Sequence, residues 1–230
     1  MATILSIETS TKPCSAAIAR DGEVICQRCD TTGQNHGKLL GVFVKELLDE
    51  LDKAGGTLDA VALSQGPGSY TGLRIGTSLA KGLCFGKDLP LIAIPTHLIM
   101  AAEALAMGEI PAHALLCPMI DARRMEVYAT LYDSQLNVVR PTSADIIGES
   151  SYADYLAAGQ VWFMGDGAGK CKETLQSPNA RFLDGIDPLA SGMAFLSEQA
   201  FQAGKTVDVA YFEPFYLKEF VASVPKNKVF

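Results

Sequence analysis

Histidine is scarce in this chain of 230 residues, which has three: His36, His97 and His113. They stand 61 and 16 residues apart, so no two have the local spacing that sets a pair of imidazoles on one helical face for a metal. Long apolar runs are missing too. No stretch reaches the roughly 18 residues a spanning helix needs, and Met1 leads straight into the strand-like Ala2 to Ile7 without a basic region. The expected location is therefore the cytoplasm, with no membrane partner. Basic side chains are outnumbered, 19 against 26 acidic, for a formal charge of −7. A surface of that sign repels a phosphate backbone, so the chain alone should bind nucleic acid poorly.

The six cysteines lie scattered through apolar stretches, as reduced core cysteines do. Cys26 and Cys29 have C-x-x-C spacing, but they sit in a strand-like run where residues three apart point to opposite faces, and no second pair follows. No low-complexity segment or sequence-level repeat is evident.

A hydrophobic content of 48% with 20% charged residues is that of a globular chain, long enough for two lobes or one large domain. Ala2 to Ile7, Ser15 to Arg20 and Glu23 to Arg28, divided by Lys12-Pro13 and Asp21-Gly22, read as a three-stranded antiparallel meander. From Leu39 to Leu51 apolar residues cover an arc of roughly 180° on a helix, wider than a one-sided surface helix needs. Either that helix is deeply packed, or part of the arc, with Leu40, Phe43 and Leu47, meets another chain. Asp59 to Ser64 reads as a buried strand, Leu73 to Phe85 as a helix, Pro90 to Ile94 as a strand and Thr96 to Met107 as a helix. This order is that of one lobe of the actin, Hsp70 and sugar-kinase (ASKHA) fold, so the expected class is a two-lobed α/β protein. A second, shortened and degenerate unit begins at Leu115. The expected lobes are residues 1–108 and 109–230, with the terminal helix free to pack back on the first.

Ile7-Glu8-Thr9-Ser10-Thr11 leaves the first strand with an acid and three hydroxyls. It is either a hydroxyl-rich turn satisfying its own backbone or a contact for nucleotide phosphates. The run Gln65-Gly66-Pro67-Gly68-Ser69-Tyr70-Thr71-Gly72-Leu73-Arg74-Ile75-Gly76 opens a glycine turn into a helix, where exposed amides could meet an anion or another backbone. Gly72, Gly76 and Ala80 then repeat every four residues, beside Leu73, Leu79 and Leu83. Glycine inside a helix costs about 1 kcal/mol relative to alanine, so the row implies a close neighbour, either the chain's own sheet or a partner helix. Ile120 to Tyr128 is a charged hairpin that could bring Asp121, Arg123 and Glu126 into an ion-pair network between lobes, or to a ligand.

With its flanks the glycine run resembles the signature of the TsaB (YeaZ) family. Ile7 to Thr11, Ile120 to Tyr128, Gly165-Asp166-Gly167-Ala168 and Pro214-Phe215-Tyr216-Leu217-Lys218 extend the resemblance over residues 3–218. Met125 stands where glycine is usual, and Lys218 where arginine is. The resemblance implies a subunit that has lost its catalytic apparatus and supports TsaD, the relative that transfers a threonylcarbamoyl group from its adenylate to the N6 of an adenosine beside the tRNA anticodon. TsaD holds a metal with an H-x-x-x-H pair, and this chain has Pro95-Thr96-His97-Leu98-Ile99-Met100-Ala101-Ala102 in its place. No catalytic residue, metal or resident cofactor is therefore expected, beyond weak or vestigial ATP or ADP binding in the complex through Glu8, Thr9, Ser10, Gly165 and Gly167. The implied partner surface, for TsaD in a heterodimer or for a second copy in a homodimer, is the first two helices: Leu40, Phe43, Leu47, Gly72, Leu73, Gly76, Ala80 and Leu83. Asp121, Arg123, Glu126 and Tyr216 are the implied interlobe positions. TsaE would join in a ternary complex, and tRNA would be met only indirectly. The rival readings are a nucleotide-dependent kinase or ATPase of the same fold and a glycoprotease-like metallopeptidase.

Overall fold

The structure, a computed structural model, describes residues 2–33 and 35–218. Thr3–Glu8 (β1) is buried along its whole length. A strand of that kind belongs in mid-sheet with a layer on each side. It pairs antiparallel with Cys14–Arg20 (β2) and parallel with Ala60–Gly66 (β4). Glu23–Asp30 (β3) and Leu91–Pro95 (β5) complete a sheet of order β3-β2-β1-β4-β5. The β2–β3 hairpin turns on Asp21 and Gly22, both at positive φ, as a two-residue primed turn requires.

His36–Lys53 (α1) and Tyr70–Lys87 (α2) cover one face of this sheet, where Leu40, Val44 and Leu47 pack with Leu5, Ile7, Val61 and Leu63. The opposite face carries Ile4, Ala17, Ala62 and Ile92. It is covered by Thr96–Ala106 (α3) and Ala194–Gln202 (α5), which bring Ile99 and Leu196. The wide apolar arc of α1 is explained by depth. Leu40, Val44, Leu47 and Leu51 are buried, while Leu39, Phe43 and Leu48 are half-buried beside them.

Leu115–Asp121 (β6), Glu126–Tyr132 (β7), Val138–Ile146 (β8), Val161–Met164 (β9) and Ala180–Leu183 (β10) form a second sheet of order β10-β9-β6-β7-β8. Its pairing repeats the first: two antiparallel neighbours on one side of the leading strand, two parallel ones on the other. Where the first sheet carries two 18-residue helices, the second has the six-residue Ala153–Ala158 (α4) and one 3-10 turn at Gly169–Cys171. The fold is a two-lobed, actin-like α/β architecture with a degenerate second lobe. His97 at the start of α3 is fully buried, its Nδ1 2.7 Å from Thr130 Oγ1 on β7, so the connecting helix is bonded to the second sheet. After β10 the chain returns to the first lobe through the 3-10 turn Ala190–Met193 and α5.

The glycine row of α2 faces inward, which corrects part of the expected partner surface. A Cβ on Gly72 would lie 2.0 Å from the Thr9 carbonyl oxygen, and one on Gly76 would lie 2.4 Å from Thr9 Oγ1. Ala80 and Leu73, with Leu40 and Leu47 on α1, are likewise buried in the chain's own core, and a side chain sealed there has no surface left for a partner. Phe43 and Leu83 are half-buried and pack against the same core. Gly82 and Gly86, on the same helix, have nothing within 4 Å of an added Cβ. Gly76→Ala is therefore expected to destabilise the protein by about 1–3 kcal/mol through overpacking, and Gly82→Ala to stabilise it by up to about 1 kcal/mol. Urea unfolding of both variants checks the pair. Equal stabilities would remove this account of the packing.

Candidate functional site: an interlobe cleft and an outer helical face

At the end of β1 the chain turns through Thr9 and Ser10 directly beneath the start of α2. Ser69 N–H donates to Ser10 O at 2.6 Å, and Thr9 Oγ1 donates to Gly72 O at 2.8 Å. A Cβ on Gly68 would lie 2.3 Å from Ser10 O. Gly68, Gly72 and Gly76 thus lack side chains because the Thr9–Ser10 corner occupies that space. Ser69 caps α2 by accepting from Gly72 N–H.

Glu8 lies behind this corner, fully buried. Its Oε1 accepts from Ser10 N–H at 2.6 Å and from Ser64 Oγ at 2.9 Å, while Oε2 has no partner. Burial pushes its pKa up to about 7, against the pull of the hydrogen bonds from Ser10 and Ser64. Near neutral pH Glu8 is thus a half-protonated group sealed inside the first lobe. His97 is the opposite case, since burial lowers its pKa to about 3 and keeps the ring neutral.

Between the lobes lies a cleft of about 1100 Å³. Ser10, Thr11 and Lys12 line it from the β1–β2 corner, Tyr70 and Thr71 from α2, Arg123 and Tyr128 from the second lobe, and Tyr216 and Lys218 from the tail. Of the residues expected to meet a nucleotide, Ser10 alone reaches this lining. Glu8 and Thr9 are sealed beneath it. The Gly165–Gly167 turn is filled by the chain itself. A Cβ on Gly165 would lie 2.5 Å from Met119 O, and one on Gly167 would lie 2.9 Å from the carbonyl carbon of Ile120. The two glycines thus pack against β6, while Asp166 between them is exposed and lines the cleft.

The expected ion-pair network is also rearranged. Asp121 pairs with Lys170 and Glu126 with Lys218, so neither acid takes Arg123. Arg123 and Arg124 both have positive φ at the tip of the β6–β7 hairpin, where glycine would fit more easily. Tyr216 packs against Tyr70 with ring centroids 4.8 Å apart and the ring planes tilted by 41°. The C-x-x-C pair splits across β3, with Cys26 packed on the first core and Cys29 exposed. Burial raises both thiol pKa values, the opposite of what a reactive cysteine needs.

Sequence reasoning missed the outward face of α2. Ser78, Gly82 and Gly86 follow one another at helical spacing on exposed positions, and Phe85 beside them is 88% exposed. Gly41 and Val42 on the neighbouring α1 are exposed as well, with open space around Gly41. The second small-residue row was visible in the sequence. Only burial tells which of the two rows turns outward.

These features define a two-lobed, actin-like protein with a closed glycine turn and an exposed small-residue face. The family model described as TsaD, tRNA N6-adenosine threonylcarbamoyltransferase, matches residues 30–225. The tRNA threonylcarbamoyladenosine biosynthesis protein TsaB of Escherichia coli K12 is 30% identical over 234 residues, covering 95% of this chain and 96% of that protein. TsaB of Bacillus subtilis 168 is 37% identical over 130 residues, 56% of this chain and 55% of that protein. The solved structure of YeaZ from Pseudomonas aeruginosa superposes with a TM-score of 0.79 at 28% identity, covering 94% of this chain and all of that one. The chain belongs to the TsaB (YeaZ) family.

Glu8 also makes a prediction about pH. A carboxyl whose pKa is raised on folding, from 4.5 to about 7, contributes stability that is full below 4.5 and lost as pH rises through 7. Glu8→Gln keeps the neutral shape without that dependence. Relative to the parent, the variant should gain about 3 kcal/mol of stability between pH 4.5 and pH 8. Denaturant unfolding at a series of pH values measures this. A difference that stays constant with pH would mean that Glu8 is ionised at its ordinary pKa in the fold.

Proposed function

We propose that this chain is a non-catalytic supporting subunit in the biosynthesis of threonylcarbamoyladenosine in tRNA, docking on TsaD through the outer face of α1 and α2. Family membership supports the pathway, because the relatives from E. coli and B. subtilis are named for it. The observation that carries the docking is the exposed row Ser78, Gly82 and Gly86 beside Phe85 and Gly41. Each exposed helical glycine costs about 1 kcal/mol relative to alanine, and none of the described residues packs into the space beside Gly41, Gly82 or Gly86. A second helix could lay its backbone there, with Phe85 as an apolar anchor at the rim. The same face would serve a homodimer when TsaD is absent. TsaE would join the pair, tRNA would be held by the assembled complex, and the site of action would be the cytoplasm.

The non-catalytic part of this reading is supported by the placement of the chemistry-bearing residues. His36 is bonded through Nε2 to the carbonyls of Thr11 and Pro13, and His97 is sealed against Thr130, so the two do not converge on a metal. Among the described residues no group of three or more His, Cys, Asp or Glu side chains is placed to hold one. The kinase and ATPase alternative is weakened by the burial of Glu8 and the filling of the Gly165–Gly167 turn. We accordingly propose no resident cofactor, with at most weak nucleotide binding at the cleft once the complex forms.

Gly82→Leu is the test. It places a bulky side chain on the proposed contact while leaving the core untouched, and should weaken TsaD binding about ten- to hundredfold with little change in melting temperature. Gly76→Leu should instead lower the melting temperature. Parental affinity in a folded Gly82→Leu protein, measured by calorimetric titration with TsaD, would mean that the partner docks elsewhere.

A further inference from the structure

Past α5 the tail runs along the outside of the first lobe and is tied to it at successive points. Val207 N–H donates to Leu91 O at 2.8 Å on the free edge of β5. Lys81 Nζ on α2 donates to the carbonyls of Ala210, at 2.9 Å, and Phe212, at 3.1 Å. Phe215 N–H donates to Gln65 O at 2.7 Å, and the Phe215 carbonyl sits where a Cβ on Gly66 would fall, 2.7 Å away. Tyr216 then packs, ring tilted, against Tyr70 in the first turn of α2. Two residues later Lys218 crosses the mouth of the cleft and pairs with Glu126 on β7, in the other lobe.

We propose that residues 207–218 form an interlobe strap, with Lys218–Glu126 as its latch, which couples the opening of the cleft to the Gln65–Tyr70 corner where α2 begins. The two ends of the strap differ in strength. On the first lobe it is held by backbone hydrogen bonds, a clamped pair of carbonyls and an aromatic contact. On the second lobe it is held by a single ion pair between the half-exposed Lys218 and Glu126, which is 20% exposed, and salt screens such a pair from its open side. The latch therefore releases before the rest of the strap. When it does, the tension on Tyr216 and Phe215 changes at the entrance to α2, although neither touches the second sheet by a described hydrogen bond.

The coupling predicts that a substitution in the second lobe alters the protection of an amide bound on the first. In the full chain, Glu126→Lys should speed hydrogen exchange at the Phe215 amide by about two- to fivefold, the population ratio an exposed ion pair supports. The reciprocal swap, Glu126→Lys with Lys218→Glu, should restore the parental rate. Raising the salt concentration should bring the parent toward the single variant and leave the single variant unchanged. Lys218 is half exposed and Glu126 is 20% exposed, so a melting temperature close to the parent is required of each variant before its exchange is compared. The inference is overturned if Glu126→Lys leaves exchange at Phe215 unchanged, or if the swap fails to restore it. Neither outcome depends on whether TsaD is the partner, because the isolated chain is enough.

Discussion

The structure depends on the contact between the Thr9–Ser10 corner and the glycine run that starts α2. Two stretches of backbone, 63 residues apart at Thr9 and Gly72, come closer than any side chain would permit. Three glycines at Gly68, Gly72 and Gly76 make that approach feasible, and two hydrogen bonds from Ser69 and Thr9 hold it. The approach sets the height of α2 above the sheet and so determines which face of the helix is left for solvent. It also closes the first strand over Glu8, which is why a carboxyl survives there with one oxygen unpartnered and a raised pKa.

The two lobes share one strand plan but not one covering. In the first, long helices seal the sheet on both faces. In the second, α4 and the turn at Gly169–Cys171 do less of that work, and a compact cluster around Phe163, with Phe182 stacked on it and Tyr152 tilted against it, supplies the core. The lobes are then joined by α3, by the return through Ala190, and by the strap. Of these, α3 is tied to the second sheet by the buried hydrogen bond between His97 Nδ1 and Thr130 Oγ1, while His97 Nε2 has no partner among the described residues.

Two glycine-containing turns with superficially similar sequences do different things from those a nucleotide site would require. The Gly66–Gly68 turn receives the chain's own Ser10 and Phe215 carbonyls, and the Gly165–Gly167 turn receives Met119 and Ile120. In both, the space beside a glycine is filled by backbone of the same chain. A protein built in this way keeps the architecture of a nucleotide-binding fold while using its glycines for internal fit.

The sequence by itself determined the order of elements in the first lobe, the hairpin at Asp21-Gly22 and the family, because these follow from local periodicity, turn chemistry and contiguous signatures, while burial decided that the wide apolar arc of α1 is deeply packed. It did not reveal β8, which contains Pro141 and several polar residues on an exposed edge, or the four-residue β10, whose pattern is too short to carry a period. A second unit was expected from Leu115, but how its later strands pair was not, since pairing order is not written in composition. Only the tertiary structure decided that Gly72, Gly76 and Ala80 turn inward while Ser78, Gly82 and Gly86 turn outward. Both rows have helical spacing, and the choice between them rests on Thr9 and Ser10, residues far away in the chain. The partners of Asp121 and Glu126 were decided in the same way, because Lys170 and Lys218 reach them only after the second sheet has formed and the tail has crossed the cleft.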